Sequence, residues 1–185
     1  MDKYRDLTMS EVTQTITSVP AIQISGAIAI LSGIISAIGV VFFIAMVAFF
    51  ATPNKELGLT FGLLNDICVA LQYLLTIPIA LALYRILAAY NPALMRIVTI
   101  TGIVALMFTV GLQLLLIFEV LTFEQQMPWI SLAMLLGVGS WLLVTGLVAR
   151  STDRLPNSLL MSILAIPYLG YPVWAFWLGQ RLLGW

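Results

Sequence analysis

Between Leu59 and Tyr84 the sequence reads LTFGLLNDICVALQYLLTIPIALALY. Wound as a helix at about 1.5 Å per residue, this run is longer than the roughly 30 Å hydrocarbon core of a bilayer. It also carries a carboxylate, Asp66, several residues in from its start. A charge inside a hydrocarbon-length segment is costly unless it is hydrogen-bonded, hydrated or paired. Asp66 therefore constrains what must pack around the segment, and it is a candidate functional residue.

The rest of the chain has the same character. It is 62% hydrophobic and 9% charged, with a mean hydropathy of +1.09. A soluble domain carries roughly 25% charged residues, so lipid has to be the solvent for most of this surface. The net charge is +0, which leaves no basic face for nucleic acid. There is no histidine, and Cys68 is the single cysteine. Intrachain disulfides, histidine-ligated metals or haem, and Ser-His-Asp or Cys-His catalysis are excluded on that count. Lys3 and Lys55 lie outside the apolar cores, which excludes a buried Schiff-base lysine. No cofactor and no metal site is expected, and the chain is not expected to be an enzyme.

The predicted fold is all-α: a polytopic transmembrane helix bundle of five spans, forming one domain over residues 20–185. Residues 1–19 are mixed and polar and read as a cytoplasmic tail, either disordered or lying on the membrane as a lid. They do not read as a secretory signal: Asp2, Asp6 and Glu11 are acidic, and the apolar run that follows is too long. The spans are expected at about 21–50, 59–84, 94–121, 128–149 and 156–183. Thr52-Pro53-Asn54-Lys55 and Asn91-Pro92 mark turns, and Pro78 should kink the second span. Gly137, Gly139 and Gly146 are close-packing points in the fourth span.

Lys3, Arg5, Arg85, Arg96, Arg150 and Arg154 fall on one side of this topology, and Lys55 and Arg181 on the other. The positive-inside rule then puts the N-terminus in the cytoplasm and the C-terminus outside. Trp129, Trp174, Trp177 and Trp185 would form an outer aromatic belt.

Two groups of residues could carry function. The first surrounds Asp66. Asn65 and Gln72 share one face of the second span, and Asp66 and Tyr73 share another, because seven residues make two helical turns. Gln113 and Glu119 on the third span, and Arg181 at the outer end of the fifth, are candidate partners for Asp66. The second group is Pro167-Tyr168-Leu169-Gly170-Tyr171-Pro172, where each proline removes a backbone donor. Broken helices of this kind line substrate sites in transporters, and they also occur as plain kinks. Separately, Ser25, Ala29, Gly33 and Ala37 repeat every four residues along the first span, a small-residue ladder that lets another helix approach.

Trp141 to Leu147, Arg150-Ser151, Leu155-Pro156, Gly170-Tyr171-Pro172-Val173-Trp174 and Trp177-Leu178-Gly179 resemble the C-terminal part of small multi-pass prokaryotic membrane proteins of unassigned function. Asn65-Asp66 and the apolar run to Leu83-Tyr84 resemble their second span. The resemblance covers about half the chain. It implies a five- or six-span bundle and supplies no activity.

These readings together describe a non-catalytic, structural or accessory protein of a prokaryotic cell membrane. Its partners would be the bilayer and either a second copy or another membrane protein. The alternatives are a carrier of a small solute, an ion or protons through Asp66, and a binder of a lipophilic ligand near Pro167–Pro172.

Overall fold

The computed structural model describes residues 20–151 and 167–183, with side chains of the last helix from Tyr171 onward. The described residues form five helices: α1 Pro20–Phe50, α2 Lys55–Leu87, α3 Pro92–Ile117, α4 Phe123–Ser151 and α5 Pro167–Leu183. The first four are long and apolar enough to cross a membrane. The described part of α5 has 17 residues, about 25 Å of helix.

Local chemistry sets the boundaries. Asn91 caps α3, its Oδ1 accepting from the Leu94 amide at 3.1 Å, with Pro92 at the first helical position. There the missing N–H of proline costs nothing. α4 opens with a reciprocal capping box: the Gln125 amide donates to Thr122 Oγ1, and the Thr122 amide donates to Gln125 Oε1. This cap starts the helix at Phe123, five residues ahead of the expected Pro128, which sits inside the helix. α3 ends at Ile117, short of the expected Leu121, because Glu119 takes a left-handed conformation (φ 59°). Glu119 is therefore an exposed loop residue and belongs to no span.

Helices α1 to α4 pack antiparallel in chain order. In α1, Ile22, Ser25, Gly26, Ala29, Ser32, Gly33, Ser36 and Gly39 are buried. Serine and glycine predominate on that face, so α2 and α5 can both come close. A methyl group on Gly33 would sit 3.0 Å from the Pro172 carbonyl, and one on Gly39 3.2 Å from Cys68 Cβ. Ala37, the fourth rung of the predicted ladder, is exposed. A strict four-residue repeat advances about 40° per step on a helix of 3.6 residues per turn, so three steps carry Ala37 about 120° off the buried face. In the covered set, Ile22, Ser25, Ala29, Ser32, Ser36 and Gly39 instead alternate steps of three and four, with Gly26 and Gly33 beside them.

Between α3 and α4 the same device recurs with larger partners. A methyl on Gly137 would collide with that of Ala105, and one on Gly102 would lie 2.7 Å from Trp141 Cγ. Around Gly137 the helix widens into a π-helical stretch, Ala133–Gly139. The Ser140 hydroxyl donates to the Leu136 and Gly137 carbonyls at its end.

The direction of α5 corrects the expected topology. Gly26 lies against Gly179, Leu182 and Leu183, and Gly33 against Pro172 and Ala175. α5 therefore runs antiparallel to α1, and Leu183 lies at the same end of the bundle as Pro20. Five alternating crossings would have put it at the opposite end. Apolar length within 156–183 suggests a span, but it holds no information about direction. Residues 1–19, 152–166, 184 and 185 of the reading above lie outside the described residues.

The corrected direction regroups the charges. Arg85, Arg96, Arg150 and Arg181 are all exposed at the end where α1 begins. Lys55, Glu56, Glu119 and Glu124 lie at the other. Trp177 sits toward the arginine end and Trp129 near the start of α4, so the described tryptophans form no belt on one side.

Candidate functional site

Asp66 is half-buried on α2. Its carboxylate interacts with the side-chain amides of Gln113 on α3 and Asn65 on its own helix. Gln113 reaches further: its Oε1 accepts a hydrogen bond from Gln126 Nε2 of α4 at 3.0 Å. Gln126 is 1% exposed, Gln113 4% and Asn65 6%. A chain of polar side chains thus links α2, α3 and α4 about one turn below the α3–α4 loop. In hydrocarbon each amide would cost several kcal/mol if left alone, so mutual satisfaction is what permits them there. Sequence reasoning missed Gln126 because it lies ahead of the expected start of the fourth span. The capping pattern Thr122-Phe123-Glu124-Gln125 was the signal that could have placed it on a helix.

Arg181 is not part of this group. Its guanidinium lies 5.8 Å from the ring centroid of Trp177, a cation–π contact within α5. With Gly179 beside Gly26, and Asn65 beside Gly39, Arg181 and Asp66 are separated by about 20 Å along the bundle. Glu119 is also apart, exposed in its loop. Tyr73 is half-buried against the main core, and the Gln72 carbonyl serves a second polar cluster.

That second cluster centres on Tyr171 of α5. Its hydroxyl bonds Ser32 Oγ of α1 at 2.8 Å and also meets Thr76 Oγ1 of α2. Thr76 donates to the Gln72 carbonyl at 2.7 Å, and Ser32 reaches the same carbonyl at 3.5 Å. Nearby, Ser25 Oγ contacts the Pro78 carbonyl at 3.4 Å. Tyr171 thus ties the last helix to the first two. Tyr168 lies in the first turn of α5, and its side chain is outside the described set. Among the described residues, four buried polar atoms have no hydrogen-bond partner: Thr99 Oγ1, Trp141 Nε1, Thr145 Oγ1 and Trp174 Nε1.

A groove of about 490 Å³ runs between α1 and α5 on the outside of the bundle. Gly33, Ile34 and Ala37 line one side, and Val173, Trp177 and Gln180 the other. It is almost wholly apolar, opens sideways toward lipid and does not reach Asp66. Among the described residues no group of three or more His, Cys, Asp or Glu side chains could hold a metal ion.

The chain is a multi-pass membrane helix bundle, and its described residues hold two internal polar clusters and a lipid-facing groove. Comparison with protein-family models, with curated proteins and with solved structures gives no match.

Proposed function

We propose that this protein is a non-catalytic accessory bundle of a prokaryotic cell membrane, acting by association with itself or with another membrane protein. The carrying observation is how the membrane-depth polar groups are used. Asp66 meets Asn65 and Gln113, and Gln113 meets Gln126, so these side chains engage one another across three helices. A carrier needs such groups turned toward a wet path. The resemblance to small multi-pass prokaryotic proteins is in keeping with this reading. The four arginines at the end where α1 begins support a cytoplasmic position for that end, with Leu183 on the same side.

Proton flux in sealed vesicles separates a structural polar cluster from a carrier. Vesicles holding the wild-type protein should leak protons no faster than empty ones, and Asp66→Asn should change nothing, because an amide can replace the carboxylate in hydrogen bonds to Asn65 and Gln113. Asp66→Leu should cost about 1–3 kcal/mol, since it leaves buried amides without an acceptor. A wild-type flux above background that Asp66→Asn abolishes would establish the carrier instead.

A second reading, a binder of a lipophilic ligand, is favoured by the groove beside Pro172.

A further inference from the structure

The groove and the charges at its end belong together. On α5, Val173, Trp177 and Arg181 are spaced four residues apart, each step winding about 40° round the helix, and Trp177 joins the groove to Arg181. The first two line the groove, and Arg181 lies one turn beyond them, exposed and stacked on Trp177. Gln180, also in the lining, adds an amide at that same end. The register Gly26–Gly179 and Gly33–Pro172 gives the groove a length of about 18 Å, from Ala37 to the level of Gln180. One leaflet of a roughly 30 Å hydrocarbon core is about 15 Å deep. A surface that is apolar for the depth of one leaflet, and cationic at the headgroup level, has the polarity profile of an anionic phospholipid.

We infer that this groove holds one anionic phospholipid, with an acyl chain between α1 and α5 against Ala37 and Val173 and its phosphate at Arg181. The charge distribution selects the headgroup. Arg85, Arg96, Arg150 and Arg181 occupy this end, while the described carboxylates Glu56, Glu119 and Glu124 lie at the other and Asp66 is held in its amide cluster. No described carboxylate competes for Arg181. The same geometry disfavours a second copy. A twofold axis along the membrane normal would bring two Arg181 side chains to one level across a seam a single groove wide, and like charges there repel. Ala37 has a role that its ladder spacing alone does not supply. It is small where the chain must pass, yet it touches neither α2 nor α5 closely enough to be buried. The inference rests on the second reading given above and not on the Asp66 cluster, so Asp66→Asn is silent in its test.

The test is lipid retention. Protein reconstituted in equal phosphatidylglycerol and phosphatidylcholine is extracted in mild detergent, and the lipid remaining is identified by native mass spectrometry. Wild type should keep one lipid per chain, with phosphatidylglycerol enriched about fivefold, the weight of one interfacial arginine. Arg181→Gln should keep the lipid and lose the enrichment. Ala37→Phe and, from the opposite wall, Val173→Trp should lose the lipid while keeping wild-type helicity and particle size; both positions are exposed, so neither disturbs a packed contact. Equal retention of the two lipids by wild type would overturn the proposal, as would full retention in both blocked variants. So would a fall in particle size on blocking, which would make the groove a seam between copies.

Discussion

Replacing Tyr171 by Phe should cost the bundle about 1 kcal/mol, and the figure follows from what the hydroxyl touches. It makes two interhelical contacts, to Ser32 on α1 and to Thr76 on α2. Interhelical hydrogen bonds in membranes average about 0.6 kcal/mol each, so two give about 1.2 kcal/mol. No larger penalty should be added. Thr76 keeps its bond to the Gln72 carbonyl at 2.7 Å, and Ser32 can close on the same carbonyl from 3.5 Å, so neither hydroxyl is stranded. The ring contact with Trp174, with centroids 5.4 Å apart, survives in phenylalanine, so the substitution isolates the hydroxyl. The assay is a double-mutant cycle of Tyr171→Phe with Thr76→Val, read by reversible unfolding in mixed micelles. The coupling energy should fall between about 0.5 and 1.7 kcal/mol. A coupling of zero would show that α5 does not sit in the groove of α1 and α2 as described. A loss above about 3 kcal/mol from Tyr171→Phe alone would show that Ser32 or Thr76 is left stranded without it.

Glycines separate by what surrounds them: Gly137→Ala should cost about 1–3 kcal/mol through collision with Ala105, while Gly111→Ala, with nothing within 4 Å, should be neutral or slightly stabilising. Equal unfolding midpoints for the two variants would contradict the close α3–α4 approach. In a Cys68→Ser background, Arg150→Cys and Arg181→Cys should react with an impermeant maleimide from one side of the membrane, and Lys55→Cys from the other. Labelling of Arg181→Cys together with Lys55→Cys would restore the alternating topology.

Much of the helical framework can be read from the sequence because apolar length is a direct requirement of the bilayer. The first three helices begin and end within a few residues of the expected bounds at most of their ends. Direction and partners are harder to read. Asp66 stands out because a carboxylate at that depth needs company, and Gln113 is an evident candidate on the adjoining helix. Gln126 does not stand out, since a helix start set by Thr122 and Gln125 is a matter of side-chain geometry and not of hydropathy. Arg181 comes near Asp66 only if the last segment continues the alternation, and hydropathy carries no sign of its direction. Pro167 and Pro172 mark where α5 is unusual, but the hydroxyl between them finds Ser32 and Thr76 only after three helices have come together. Ala37 shows a further limit: a repeat of four looks regular on paper and winds off the packed face in space.

The packing of α5 on α1 also sets an order of events. The two partners of the Ser32–Tyr171 bond are separated by 139 positions in the chain. At 5–20 residues per second, a ribosome needs about 7–28 s to travel between them. For that interval the serine and glycine face of α1 has α2 against one side and lipid, or an insertion factor, against the other. The nascent bundle is therefore open along this seam until α5 is made. Premature termination anywhere before Pro167 would release a product whose first helix still offers that face to any neighbour able to approach closely.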